Sequence, residues 1–278
     1  MNLRALLELM RVSNLPTVWS NVVLGWFAGV TVPLWVSLGS DHVGLIAAIR
    51  RELIQRLPET AVYRLLPLAA VFSLFYVGGM ILNDYLDRRI DTIERPQRPI
   101  PSGRVSPRLA LFLSVLCLGG GLVGMSLFEW NVNPGTGQSW YGTIFAGVLV
   151  GQIVFYNLNH LDSPATSVVL MGQCRAFIVI SAAAVIQPPT VHWAWWLFVL
   201  GPAVTLFAYT VVISMVARRE VDPERGGFGG PRTIMNMIAA MPLLDAAWLV
   251  AMGLWPASLV CVACAGLTKL GHRRIAGS

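Results

Sequence analysis

Lysine is nearly missing from this chain: of its 20 basic residues only Lys269 is a lysine. Charge of either sign is scarce, at 12% of 278 residues, where an ordinary soluble domain carries about 25%. That leaves too little polar surface to cover a soluble globule of this length. With 55% hydrophobic residues and a mean hydropathy of +0.65, the bilayer must solvate most of the chain. Strand-like alternation is absent as well. The apolar runs extend for about 18–24 residues, so the backbone is satisfied by helices rather than by a closed barrel. Cysteine is limited to Cys117, Cys174, Cys261 and Cys264, all in apolar stretches. Cys261 and Cys264 form C-x-x-C without a nearby histidine, which favours helix packing over a metal or redox site. Low-complexity tracts, internal repeats and a separate soluble domain are also missing, so residues 1–278 read as one domain. Met1–Ser13 is polar and amphipathic, unlike a cleavable leader.

Eight membrane helices are expected, near 15–38, 65–86, 108–128, 140–158, 166–186, 193–216, 233–252 and 254–271. Each approaches the 20 residues that cross about 30 Å of hydrocarbon. The net charge of +6 lies at the helix boundaries, which argues against a nucleic-acid partner. Arginines gather before the first helix, between the second and third, and between the sixth and seventh, so those loops and both termini are expected to be cytoplasmic. Arg50, Arg51, Arg56 and Arg64 run against this pattern. They fit an amphipathic helix over 46–57 lying on the opposite membrane surface. Tryptophans at helix ends, including Trp140, Trp193, Trp195 and Trp196, are expected in the interfacial belt.

The second helix ends in an unusual string, Asn83-Asp84-Tyr85-Leu86-Asp87-Arg88-Arg89-Ile90-Asp91, followed by Arg95-Pro96-Gln97-Arg98-Pro99-Ile100-Pro101-Ser102-Gly103. Asn83, Asp87 and Asp91 are four apart and Asp84 is three before Asp87, so a helix projects all four to roughly one face. Carboxylates crowded at a membrane boundary need a compensating cation. Oxygen clusters of this kind suit Mg²⁺, which takes one or two carboxylates together with substrate phosphate oxygens. Adjacent arginines can hold a diphosphate through charge-assisted hydrogen bonds. A solvated acidic helix end beside a basic loop is the plainer alternative.

The N-D-x-x-D-x-x-x-D…R-P-x-R-P-I-P-S-G string resembles the first signature of the UbiA superfamily of intramembrane prenyltransferases. Arg11-Val12-Ser13-Asn14-Leu15-Pro16-Thr17 is similar to that family's entry into its first helix. The resemblance implies an all-α bundle of eight or nine transmembrane helices around a central cavity. It implies binding of an isoprenyl diphosphate through Mg²⁺ and transfer of the prenyl group to a lipophilic or aromatic acceptor within the membrane. Carried over by position, Asn83, Asp84, Asp87 and Asp91 become the first metal site and catalytic set. Arg11, Asn14, Arg95 and Arg98 become diphosphate contacts.

The likeness thins further along. Where the family presents two aspartates four apart, this chain reads Ala217-Arg218-Arg219-Glu220-Val221-Asp222. Glu220 and Asp222 are the remaining candidates for a second metal. Arg218 or Arg219 could replace that metal's charge at the diphosphate, or serve simply as a membrane anchor. Tyr156-Asn157-Leu158-Asn159-His160 stands where many members show Y-x-x-x-K, so Tyr156 remains a candidate contact while His160 is a weaker cation. Arg175 and Asp245, inside apolar helices, each require a partner or ligand, and Arg175 joins Arg218 and Tyr156 as a candidate diphosphate contact. This mixture looks like the EboC-like branch. The altered second motif leaves an alternative reading, a catalytically impaired relative that binds or exports an isoprenoid or secondary metabolite.

Overall fold

A computed structural model describes residues 3–38, 44, 47, 59–132, 140–160, 163–189, 192–221 and 230–274. The described residues are helical almost throughout and contain no strand. Helix α1 (Leu3–Leu9) leads through a 3-10 turn (Val12–Asn14) into α2 (Leu15–Leu38). After a π turn (Ala61–Leu65) come α3 (Leu66–Leu86) and the short α4 (Arg88–Glu94). Then follow α5 (Pro107–Val132), α6 (Tyr141–Asn159) and α7 (Pro164–Ala184). A single α turn (Trp193–Trp195) and a π turn (Trp196–Leu200) open α8 (Gly201–Val221), and α9 (Gly230–Ala251) and α10 (Trp255–Arg274) complete the bundle.

Among the described residues, seven helices are long and apolar enough to cross a membrane. The eighth expected span forms as α10, but its basic end at Lys269, His272 and Arg273 keeps it out of that set. The amphipathic helix expected over 46–57 lies outside the described residues.

Helix α2 sits at the centre and packs against α3, α7, α9 and α10. Its sequence has small residues where α7 crosses it. A Cβ on Gly25 would stand 2.6 Å from the Val179 carbonyl oxygen, and one on Gly29 would stand 2.6 Å from that of Ala183. Such small-xxx-small spacing lets two membrane helices approach backbone to backbone, where dispersion replaces the hydrophobic drive that lipid removes. On the neighbouring face, α3 packs on α5, and the Ser114 hydroxyl donates to the Gly78 carbonyl at 2.9 Å.

One carboxylate had no forecast role. Glu129, fully buried in the last turns of α5, accepts from the Gly142 and Thr143 amides at 2.9 and 2.8 Å and from the Thr143 hydroxyl at 2.7 Å. It thereby satisfies the free N–H groups at the start of α6 and meets the positive end of that helix dipole. Trp130 stacks on Trp140 at the same end of the bundle. Trp140, Trp193 and Trp196 are exposed, as a lipid-facing belt requires, whereas Trp195 is only 4% exposed and belongs to the core. The helical turn Trp193–Trp195 directs alternate indoles to opposite sides, which composition alone could not resolve.

Two predictions follow from this packing. Glu129→Ala strands the buried Gly142 amide and the partly buried Thr143 amide. It is expected to cost about 2–3 kcal/mol, read as a fall in melting temperature of the detergent-purified protein. Gly25→Val drives a side chain into the α7 backbone and is expected to destabilise by about 1–3 kcal/mol. Val at the open position Gly147, where a Cβ meets nothing within 4 Å, should leave the melting temperature within the error of the same assay.

Candidate active site

The chain breaks from α3 into α4 at Asp87, yet its hydrogen-bond ladder does not. The Asp87 amide donates to Asn83, Asp91 to Asp87, and Arg95 to Asp91, each at 2.9 Å. Asn83, Asp87 and Asp91 therefore stand one turn apart on one face, as the spacing forecast. Pro96 ends the helical run, and the following loop winds back on itself. Ser102 donates to Arg98, Gly103 to Ile100 and Val105 to Pro99, each at 3.0 Å. Gly103 takes φ +74°, a conformation in which a Cβ would be strained.

This return carries the Arg98 guanidinium between two acids. Its Nη1 donates to Asp91 Oδ2 at 2.7 Å and reaches Asp84 Oδ1 at 3.5 Å. Arg11, at φ 46° in the turn before α2, donates Nη2 to the same Asp84 oxygen at 3.0 Å. Arg104 closes the outside of the loop by pairing with Glu8 of α1 at 2.7 Å. Asp84, Asp91 and Arg98 are all at most 5% exposed, so these pairs are largely desolvated.

Asp87 is treated differently. His160 Nε2 lies 3.0 Å from its Oδ1, an ion-pair distance without the angle of a hydrogen bond. Among the described residues that oxygen is buried with no hydrogen-bond partner, and so is Asn157 Oδ1 one turn before His160. Burial pushes the Asp87 carboxyl above its usual range, with Asp91 and Asp84 adding to the rise and His160 and Arg98 opposing it. Tyr156 stacks on His160 with ring centroids 5.4 Å apart.

Below this charged end runs a cavity with about 700 Å³ of non-atom space, its open mouth included. Phe72, Tyr76 and Met80 line it from α3, Ile153 and Tyr156 from α6, and Arg175 from α7. The α3 stripe 72–76–80 continues directly into 83–87–91, so one helix face is greasy along the cavity and acidic above it. A cavity that is mostly apolar with a few convergent polar groups has the form of a small-molecule site.

The remaining expected residues are distributed more widely. Asn14 Oδ1 lies 2.6 Å from His272 Nε2 on α10, away from the acids. Arg95 is exposed and outside the ion-pair network, because it falls after the last turn of α4 on the far side of the loop. Arg218 donates to the Ser167 hydroxyl on α7. The side chain of Glu220 and the whole of Asp222 lie outside the described residues. Arg175 lies eleven residues into α7, about 16 Å along the axis, and shares the cavity wall with Tyr76. It donates to Asn21 Oδ1 at 3.2 Å, and Asn21 in turn donates to Asp245 Oδ2 at 2.8 Å. That answers which partners Arg175 and Asp245 have, and it places Arg175 well below the charged end. Among the described residues, no three His, Cys, Asp or Glu side chains are gathered as a ready-made metal set. Arginine already occupies Asp84 and Asp91.

Sequence reasoning undervalued His160 and passed over Asn157. Their signal was a polar pair, one turn apart from each other, at the end of an otherwise apolar run.

Comparison with known proteins fits this arrangement. The profile of the UbiA prenyltransferase family matches residues 55–277. A digeranylgeranylglyceryl phosphate synthase of Methanopyrus kandleri is 27% identical over 219 residues, 67% of this chain and 77% of that protein. The enzyme of the same name from Methanothrix thermoacetophila is 56% identical over 54 residues, 18% of this chain and 20% of the other. That from Methanoregula boonei is 43% identical over 120 residues, 38% of this chain and 40% of the other. The chain thus spans from a fifth to about three quarters of the length of these relatives. A solved structure concerning digeranylgeranylglyceryl phosphate synthase in membranes covers 98% of this chain and 94% of its own, with a TM-score of 0.52 and 17% identity. That likeness speaks to the fold.

The ion-pair geometry yields a direct expectation. Arg98→Gln leaves Asp91 buried and unpaired and should destabilise by about 3–5 kcal/mol. Arg98→Gln/Asp91→Asn together should recover most of that loss, measured as melting temperatures around a double-mutant cycle.

Proposed function

Because this chain belongs to the UbiA prenyltransferase family, whose members carry out prenyl transfer in membranes, we propose that it moves a prenyl group from an isoprenyl diphosphate to a lipophilic acceptor. The observation that carries this reading is the single face of α3, continuous from an apolar cavity to the Asp84–Asp87–Asp91 cluster. A prenyl diphosphate has the same two-part chemistry, a greasy chain with a polyanion at one end.

In this reading the diphosphate settles at the network and draws Arg11 and Arg98 from Asp84 and Asp91 onto its oxygens, where guanidinium forks bind phosphate well. The carboxylates left behind, with the unpartnered oxygens of Asp87 and Asn157 and the neighbouring Asn83, form an oxygen donor set suited to Mg²⁺. The metal would supply positive charge that stabilises the departing diphosphate. The chain's own groups do the rest. Arg11 and Arg98 neutralise the leaving group as the allylic C–O bond breaks. Aromatic rings of Phe72, Phe75, Tyr76 and Tyr156 offer π faces to the allylic cation, and the apolar wall excludes water that would quench it. The acceptor's nucleophile then forms the new bond to carbon and releases a proton. Tyr156 remains a candidate contact through its stacking on His160. Asn14 is held by His272, Arg95 is exposed beyond the ion pairs and Arg175 is held by Asn21. Arg218, by contrast, lies close enough to Tyr156 to act on it electrostatically, and a second metal would rest on Glu220 and Asp222.

The named relatives support geranylgeranyl diphosphate as the donor to try first and a lipid acceptor over a soluble one. We further infer an integral membrane protein acting as one domain over 1–278, in the plasma membrane, with the arginine-rich loops on the cytoplasmic side.

The test is pyrophosphate release from geranylgeranyl diphosphate by detergent-purified protein with Mg²⁺, across a panel of lipid and aromatic acceptors. Release is expected from the wild type, and Asp87→Asn should lower it at least about 100-fold. Release that is absent from the wild type, or unchanged by Asp87→Asn, would sink the reading.

A further inference from the structure

A second concentration of charge lies at the same end of the bundle, on helices that contribute nothing to the acidic network. Arg232 and Asn236 from the start of α9, and Lys269, His272 and Arg273 from the end of α10, line one polar depression together with Met235. Arg232, Lys269 and Arg273 are exposed, and none has an ion-pair partner among the described residues. The described parts of the two helices contain a single acid, Asp245, and Asn21 holds it far into the bundle. Three unneutralised cations and an amide, all able to donate, therefore converge on one space beside His272, whose Nε2 is already spent on Asn14. The described parts of these two helices bring no carboxylate there to compete.

We propose that this depression is a binding site for the phosphate of an anionic phospholipid headgroup. The donor chemistry calls for an oxyanion with several acceptor oxygens. The position, at the ends of two helices of a membrane bundle, brings a lipid headgroup to the same depth. Basic pockets between membrane helices take such headgroups, and each Lys or Arg near the surface adds about a factor of five in affinity.

The site also touches the turn that places Arg11. His272, one of its lining residues, lies 2.6 Å from Asn14 Oδ1. Gly271 packs so closely on Ser13 that a Cβ there would stand 3.1 Å from the Ser13 Cα. The same turn begins with Arg11, whose guanidinium holds Asp84. A bound headgroup therefore clamps the end of α10 against the chain segment that aims Arg11. This inference stands apart from the prenyl-transfer reading, and its test measures binding rather than turnover.

The experiment is native mass spectrometry of the purified protein titrated with phosphatidylglycerol or phosphatidylcholine. Lys269→Gln/Arg273→Gln is compared with Arg89→Gln/Arg108→Gln, which removes the same charge from exposed positions outside the pocket. Wild type should prefer phosphatidylglycerol, and the pocket variant should lose roughly 10- to 30-fold in affinity while the control stays within about twofold. The charge-preserving Lys269→Arg/Arg273→Lys should retain binding. Displacement of the lipid by millimolar glycerol phosphate would support the oxyanion chemistry with a free phosphate as its source. Failure of glycerol phosphate to displace it would support the lipid itself. Amide exchange at 12–15 should slow when phosphatidylglycerol binds, and unchanged exchange would overturn the link to Arg11. Equal losses in the two double variants, or equal binding of the two lipids, would overturn the site.

Discussion

Charge buried at the edge of a membrane is the constraint on which the rest of this structure turns. Asp84, Asp87 and Asp91 share one helix face and are withdrawn from solvent. Each would be costly without a compensating cation. Arg98 reaches them only because the loop after Pro96 folds back, and Arg11 only because its backbone enters the left-handed region just before α2. The shape of residues 95–105 and of the turn before α2 is thus the local solution to an electrostatic problem. Asp87 is the exception, with a histidine at ion-pair distance and an oxygen that nothing donates to. Two acids are paired with arginine, and the third keeps an oxygen that no group among the described residues donates to.

That electrostatic solution holds only if the helices bearing the two arginines are fixed relative to α3. Helix α2 supplies this rigidity at the centre of the bundle. Gly25 and Gly29 bring its backbone against α7, and its first turn meets α10 through Asn14 and Ser13. In lipid, where apolar side chains gain little by leaving the solvent, close backbone approach is the means of fixing such positions. At the opposite end Glu129 pins the start of α6, the helix that later delivers Tyr156, Asn157 and His160 to the mouth of the cavity. The site is therefore assembled by packing features far from it.

The helical class, most of the spans and the acidic face were legible because each depends on local order: run length, composition and a spacing of three or four residues. Asn83, Asp87 and Asp91 stand as their spacing required, even across the break at Asp87. What escaped depended on contacts distant in sequence. Asn14 carries the family-like entry into α2, yet its amide faces His272, 258 residues away. Arg175 and Asp245 each demanded a partner, but nothing local could point to Asn21. Trp195 shares its composition with Trp193 and Trp196, and within a single helical turn one ring is buried and the other two are exposed. His160 looked like a weak substitute for lysine, and only the approach of α6 to the end of α3 gives it Asp87.

The Arg175–Asn21–Asp245 chain shows how such distant contacts divide the interior into layers. A direct arginine–aspartate pair would neutralise both charges, and the guanidinium would have little left to offer the cavity it lines. Asn21 is neutral and has a donor and an acceptor, so it satisfies Arg175 through its oxygen and Asp245 through its nitrogen while keeping the two charges apart. The chain also ties α7 to α9 through the central helix. About 16 Å of helix separates this layer from the first turn of α7; Met171 lines the cavity on the near side of Arg175 along α7, and Ile178 lines it about one turn beyond. The guanidinium therefore stands within an otherwise mostly apolar lining, with apolar residues on either side of it along α7.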